Sequence, residues 1–140
     1  MNSKQRMAML TVGFKNVDQV GAFFDKLKAP TDFKKLAQAT HRLAKLVNVD
    51  RDKLTADAVV DTLALTQQDT KLALATIRGM DAGFVNDDFM HNQDFVDAVA
   101  RNVDVTFADL TADQQVTLKG KAIGDALRDI KVARVQAMFP

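Results

Sequence analysis

The chain contains no cysteine, tryptophan, tyrosine or glutamate, and its only serine is Ser3. Without cysteine, disulfides and thiolate metal sites are excluded. With serine confined to one position near the start of the chain, a serine nucleophile is nearly excluded as well. Proteins that bind single-stranded nucleic acid stack bases on exposed aromatic rings. Here phenylalanine alone is available, nine times, and most of those rings are needed inside. All 18 acidic residues are aspartate. Glutamate is the better helix former, whereas aspartate prefers caps and turns, so this bias runs against the helical periodicity described below and has no physical explanation in the sequence. A glycine-rich phosphate loop, a Rossmann fingerprint and a Walker motif are missing. The segment Met1–Arg6 leads into only a short apolar run, so neither a signal peptide nor a membrane span is expected, and a cytoplasmic location is the default.

At 140 residues the chain is long enough to bury its own core, and a single helical domain over 1–140 is expected. Its charge is close to balanced but unevenly spread. Residues 1–47 hold nine Lys or Arg against three Asp, residues 48–113 five against 13, and residues 114–140 five against two. Complementarity between helices is the simplest use of a basic, acidic, basic order. A two-faced surface is the alternative.

The cleanest amphipathic stretch is Thr31–Val47. Pro30 biases Ala29 away from the helical region, Thr31 is a good N-cap, and Asp32 suits the helix dipole. At about 100° per residue, Phe33, Leu36, Ala37, Thr40, Leu43, Ala44 and Val47 share one side. Lys34, Lys35, Gln38, His41, Arg42 and Lys45 share the other, with no acid after Asp32. That basic face is either a solvated surface paired with aspartates elsewhere or a docking surface for phosphates or an acidic protein.

Residues 3–14 fit a helix through Met7, Leu10, Thr11 and Phe14, or a strand through the alternation of MLTVGF, and with no second strand to pair with the helix is favoured. Asn16 with Gln19 forms a capping box for a helix reaching about Lys28, with Val20, Phe23, Phe24 and Leu27 as its stripe. Residues 48–54 form a polar connection. Thr55 opens the next helix, with Val59, Val60 and Leu63 inward. Thr66 with Asp69 can cap a further one ending at Gly79, and whether 55–78 is one bent helix or two stays open. Gly79–Gly83 breaks the chain. Asn86 caps a helix to about Arg101, with Phe89, Phe95, Val96, Val99 and Ala100 inward and Asp87, His91, Asp94 and Asp97 outward. Thr111 with Gln114 caps a last helix running to Met138. A faint repeat at an offset of 56 pairs Leu54-Thr55-Ala56-Asp57 with Leu110-Thr111-Ala112-Asp113. A duplicated helix–loop–helix unit and coincidence both explain it. An all-α bundle of five to seven helices follows.

Asp87, His91 and Asp94 stand at i, i+4 and i+7 on one helical row. They allow the start of a metal site, or an i,i+4 pairing of His91 with Asp87 on a solvated face. His41 lies among cations with no carboxylate to orient it as a base. In the last helix Val116, Ile123, Ala126, Leu127, Ile130, Ala133 and Ala137 form a stripe, and Gly120 with Gly124 allows close helix approach. After Ile130 the pattern changes. Val132, Arg134, Val135, Met138 and Phe139 then form either a folded-over tail or an extra apolar surface for a partner or a second subunit.

The stretch FFDKLKAPTDFKKLAQATHRLAKLV, Phe23–Val47, resembles the helix pair that precedes the DNA-reading motif in Trp-repressor-like regulators. The segment that would then read DNA, Thr55–Gly79, departs from the pattern. Its turn Leu65-Thr66-Gln67-Gln68 lacks the glycine, and its second helix has only Lys71 and Arg78 as bases.

The expected function is that of a small non-enzymatic interaction protein, an adaptor, inhibitor or assembly factor, with a protein partner or self-association and no cofactor or metal. A compact, motif-free chain of skewed composition suits an accessory protein of a virus or mobile element. The alternative is a nucleic-acid-binding regulator using the basic helix face.

Overall fold

A computed structural model describes residues 1–80 and 87–140. Within them the chain is all α, with no strand: α1 (Ser3–Thr11), α2 (Val17–Lys26), α3 (Thr31–Val47), α4 (Ala56–Thr66), α5 (Thr70–Met80), α6 (Asp87–Asn102), α7 (Ala112–Thr117) and α8 (Lys121–Met138). Short 3-10 turns lie at Arg51–Lys53, Gln67–Asp69 and Phe107–Asp109. Seven of the eight helices have nine residues or more, and α7 has six. A compact helical bundle is therefore what this sequence builds.

The organising element is α3. It packs against α1, α2, α4, α5 and α6 and buries Leu36, Ala37, Thr40, Leu43 and Val47, as periodicity predicts. Its contact surface is wider than the predicted stripe, because Ala39, His41 and Leu46 are buried too. A helix surrounded on most sides needs more than a 100° apolar stripe. Thr31 lies inside the first turn instead of capping it; Pro30 holds the cap position without a side chain to accept there, and Asp32 Oδ1 accepts from Phe33 N–H at 3.0 Å. Asn2 and Gln5 cap α1 reciprocally at 2.9 and 3.0 Å. Leu10, placed by the pattern on the inner face of α1, points out, and Ala8 and Thr11 take the core positions.

The side chain of Asn16 caps α2 by accepting from Gln19 N–H. The Gln19 amide oxygen reaches Lys15 N–H instead of closing the box on Asn16. The helix stops at Lys26. Lys28 takes a left-handed φ of 54°, so that its N–H reaches Asp25 O and Ala29 N–H reaches Phe24 O, both at 3.1 Å, a Schellman arrangement. Leu27 is exposed as a result.

The open question over residues 55–78 resolves as two helices. Gln67, at φ 41° and ψ −120°, breaks α4 from α5. The corner is held by a 2.6 Å hydrogen bond between the Thr66 and Thr70 hydroxyls and by Thr70 Oγ1 donating to Gln67 O at 2.8 Å. Asn86, the predicted cap of α6, and most of the Gly79–Gly83 break lie outside the described residues. Along α6 the buried positions are Asn92, Gln93, Val96 and Val99, while Ala100 is exposed. Asn92 Nδ2 donates to Val47 O at 3.1 Å and to Val49 O at 2.8 Å, satisfying carbonyls that the end of α3 leaves open. Thr111 and Gln114 do form their capping box. The helix they start ends at Thr117, and Gly120 at φ 58° separates it from α8. The predicted last helix is thus two.

Candidate interaction face on the third helix

The six residues of the predicted basic face divide into two sets. Lys34, Gln38 and His41 turn toward α2 and the link before it. Lys34 Nζ donates to both carboxylate oxygens of Asp25 at 2.9 and 3.0 Å. Gln38 lies over Gly21 of α2, where an added Cβ would stand 2.8 Å from its Nε2 and would push the end of that side chain aside. His41 is only 7% exposed, and its Nε2 bonds to Phe14 O at 2.7 Å. Since a carbonyl only accepts, Nε2 carries the proton, and the buried Nδ1 has no partner. His41 is therefore removed from the exposed cationic face and ties α3 to the α1–α2 link. The proximity signals (Asp25 nine residues before Lys34, Phe14 in a loop) are tertiary and leave no periodic trace.

Lys35, Arg42 and Lys45 form the other set, at i, i+7 and i+10 on one face. Lys35 and Lys45 are exposed and Arg42 half-buried. Lys15 approaches the same region, lining a cleft with His41 and Lys45. Among the described residues none of these four cations has an ion-pair partner. Arg42 and Leu65, the latter 62% exposed, line two adjoining shallow clefts. One, of about 370 Å³, runs to Lys45, Lys53 and Asn16. The other, of about 250 Å³, runs to Lys35 and ends at Asp69. The face is cationic with one apolar side chain at its middle.

The charge pattern is used within the fold, but only in part. Arg128 of the C-terminal basic segment bonds bidentately to Asp61 of the acidic middle at 2.8 and 3.0 Å, with Asp57 at 3.6 Å. Arg134 bonds to Asp109 at 2.9 Å and to Asp104 O. The N-terminal basic segment makes its pairs internally, Lys4 with Asp32 and Lys34 with Asp25. Its surplus stays unmatched among the described residues.

Most of the predicted C-terminal surface is engaged within the fold. Val135 is fully buried, and Val132 and Phe139 pack against the central core. The Phe139 ring lies 4.5 Å from that of Phe95. Arg134 is engaged as described, and of the five residues Met138 has the most apolar surface left open. Four of them belong to α8, which continues unbroken to Met138 instead of ending after Ile130, and Phe139 is its C-cap. Conversely, Ile123, Ala126, Leu127 and Ile130 are half-buried, and Ala133 and Ala137 are exposed. A Cβ on Gly120 or Gly124 would meet nothing within 4 Å, so the glycine pair brings no helix close.

Asp87, His91 and Asp94 do not converge. Asp94 pairs with Arg78 at 2.8 Å, Asp87 O accepts from Arg51, and His91 stacks on Phe95. Among the described residues no three His or Asp side chains gather as metal ligands, and no helix is long and apolar enough to cross a membrane. Of the two bases on α5, Arg78 is thus committed, which leaves Lys71. Comparison with protein-family models, with curated proteins and with solved structures finds no match to this chain.

Proposed function

We propose that this is a non-enzymatic interaction protein whose docking surface is the face of α3 bearing Lys35, Arg42 and Lys45, and whose partner is an acidic protein segment. The observation that carries the reading is the unmatched cationic row beside the exposed Leu65. Desolvating an apolar anchor among rim charges is how such surfaces gain affinity and specificity. Several polar side chains that chemistry could use have other duties. His41 is bonded to a backbone carbonyl, Thr55 and Thr111 cap helices, and Thr66 and Thr70 bond to each other.

An acidic peptide fits better than nucleic acid. Proteins that bind duplex DNA neutralise on the order of 6–10 phosphates, and only four unpaired cations gather here. A formal net charge of +1 adds little long-range attraction. Phe107, the phenylalanine with most surface exposed among those described, belongs to the turn before α7 and not to this face.

The test is retention on a column carrying a short Asp- and Leu-containing peptide, against one carrying single-stranded DNA. The Lys35→Gln/Arg42→Gln/Lys45→Gln variant serves as control. Retention on the peptide that falls with salt and disappears in the variant is the expected result. Equal retention of the variant removes this face from consideration. Stronger retention on DNA, lost in the variant, shifts the reading to a nucleic-acid regulator.

A further inference from the structure

Another cleft, of about 610 Å³, lies where the α4–α5 corner, the end of α6 and α8 meet, and adjoins the small cleft at Lys35 through Ala64, Gln67 and Gln68. Its volume falls within the roughly 300–1,000 Å³ of small-molecule sites. The floor is apolar, with Val60, Leu74, Val99 and Val135 all buried. The rim is cationic. Arg101 pairs with Asp97 at 3.0 Å, but Lys71 from α5 and Lys131 from α8 have no ion-pair partner among the described residues. Gln67, with its left-handed φ of 41°, stands on the same rim. Non-glycine residues keep such a conformation only where the surroundings enforce it, and they concentrate at ligand sites.

Two lysines from different helices lining one apolar cleft make a site for a molecule with a hydrocarbon tail and an anionic head. We infer that this cleft binds a linear aliphatic carboxylate, its chain over Val60, Leu74, Val99 and Val135 and its head between Lys71 and Lys131. A neutral head would leave the lysines uncompensated, and a cationic one would be repelled by them. A purely polar anion would leave the valine floor wet, so both halves of the ligand are specified.

The experiment is calorimetric titration of the full-length protein with decanoate, decanol and decylamine. Backbone amide NMR shifts locate the site. Decanoate should bind saturably, with shifts at Leu63, Val103 and their neighbours in the cleft. Losing both exposed ion pairs should weaken binding by up to about thirtyfold. The Lys71→Gln/Lys131→Gln variant should therefore bind decanoate no better than the wild type binds decanol, with unchanged melting. Ala100→Phe, which fills the cleft from an exposed position, should abolish binding of both. The Lys35→Gln/Arg42→Gln/Lys45→Gln variant should bind decanoate as the wild type does, which keeps this test separate from that of the proposed function. Absence of saturable decanoate binding overturns the inference. So does equal affinity for decanol and decanoate, or decanoate affinity unchanged in the lysine variant.

Discussion

Lys28 closes α2 at φ 54°, a conformation that costs a residue with a Cβ about 1–2 kcal/mol and that glycine adopts freely. Its carbonyl-satisfying role is played by backbone N–H groups, so the side chain is dispensable. Lys28→Gly should therefore raise unfolding stability by about 0.5–1 kcal/mol, the gain being trimmed by glycine's freedom in the unfolded chain. Urea unfolding followed by far-ultraviolet circular dichroism reads it, since the chain has no tryptophan or tyrosine to report by fluorescence. A loss of stability would show that the lysine makes a contact the cap needs. Asn92 is the opposite case, a side chain whose identity matters atom by atom. Its amide nitrogen donates to Val47 O and Val49 O while its Oδ1 has no partner. Asn92→Leu should cost about 1–3 kcal/mol, because two buried carbonyls lose their donor. Asn92→Asp should cost more at neutral pH, since a carboxylate oxygen would face those carbonyls. If Asp proves as stable as Asn in the same unfolding experiment, Asn92 does not hold α6 to α3. Residues of this kind are illegible in one sequence. Nothing in the pattern of α6 singles out Asn92, and only the end of α3, 45 residues earlier, explains it.

Elements were legible where their burial follows apolar periodicity and illegible where charged side chains share the buried face. The periodicity of α3 predicted its end at Val47 and most of its core residues, while Thr31, read as the cap, is its first residue. For α8 the same arithmetic selected Ile123, Leu127 and Ile130, but the helix lies on α4 through a mixed row containing Arg128, Val132 and Val135. Arginine can cover apolar surface with its stem while its head bonds outward, so a hydrophobicity count misses such a face. The attachment of α8 is therefore partly ionic and should respond to acid. Hydrogen bonding from Arg128 holds the Asp61 carboxyl below its usual value. The Thr106 N–H and then Arg134 do the same for Asp109. A carboxyl whose folded pKa is depressed stabilises the fold at neutral pH, and the contribution is lost as pH falls through the depressed value. Between neutrality and about pH 5 these pairs should hold. Below about pH 4, hydrogen exchange in α8 should accelerate before exchange in α3. Asp61→Asn should bring that acceleration up to neutral pH. Exchange in α8 that follows α3 at every pH would mean that the apolar contacts of Val132, Val135 and Phe139 hold the helix without these pairs.

At the scale of the molecule, the offset of 56 noticed in the sequence recurs in the element boundaries. The 3-10 turn Arg51–Lys53 has its counterpart at Phe107–Asp109, and the helix beginning at Ala56 has one beginning at Ala112. Leu54 and Leu110 are both buried, and Thr55 and Thr111 both cap. The repeat breaks down in packing. Val60 of α4 is 6% exposed beneath its neighbours, while its counterpart Val116 of α7 is 78% exposed. The likeness was legible because capping chemistry is local. The difference was not, because it depends on which helix lies across the unit: α4 packs against α3 and α8, and among the described residues no helix covers α7 in this way. Stability should follow that contrast, since regions with few buried apolar contacts open at low free-energy cost. Amide exchange in α3, which is walled in by five helices, should require global unfolding. Exchange in α7 should be faster by orders of magnitude and nearly independent of urea, as expected for a local opening that exposes little new surface. Val116→Asp should leave the melting temperature unchanged, whereas Val60→Asp should unfold the bundle by placing a carboxylate in the core. Protection in α7 close to that in α3, or marked destabilisation by Val116→Asp, would mean that α7 is covered in solution, and a change of protection with protein concentration would identify a second copy as the cover.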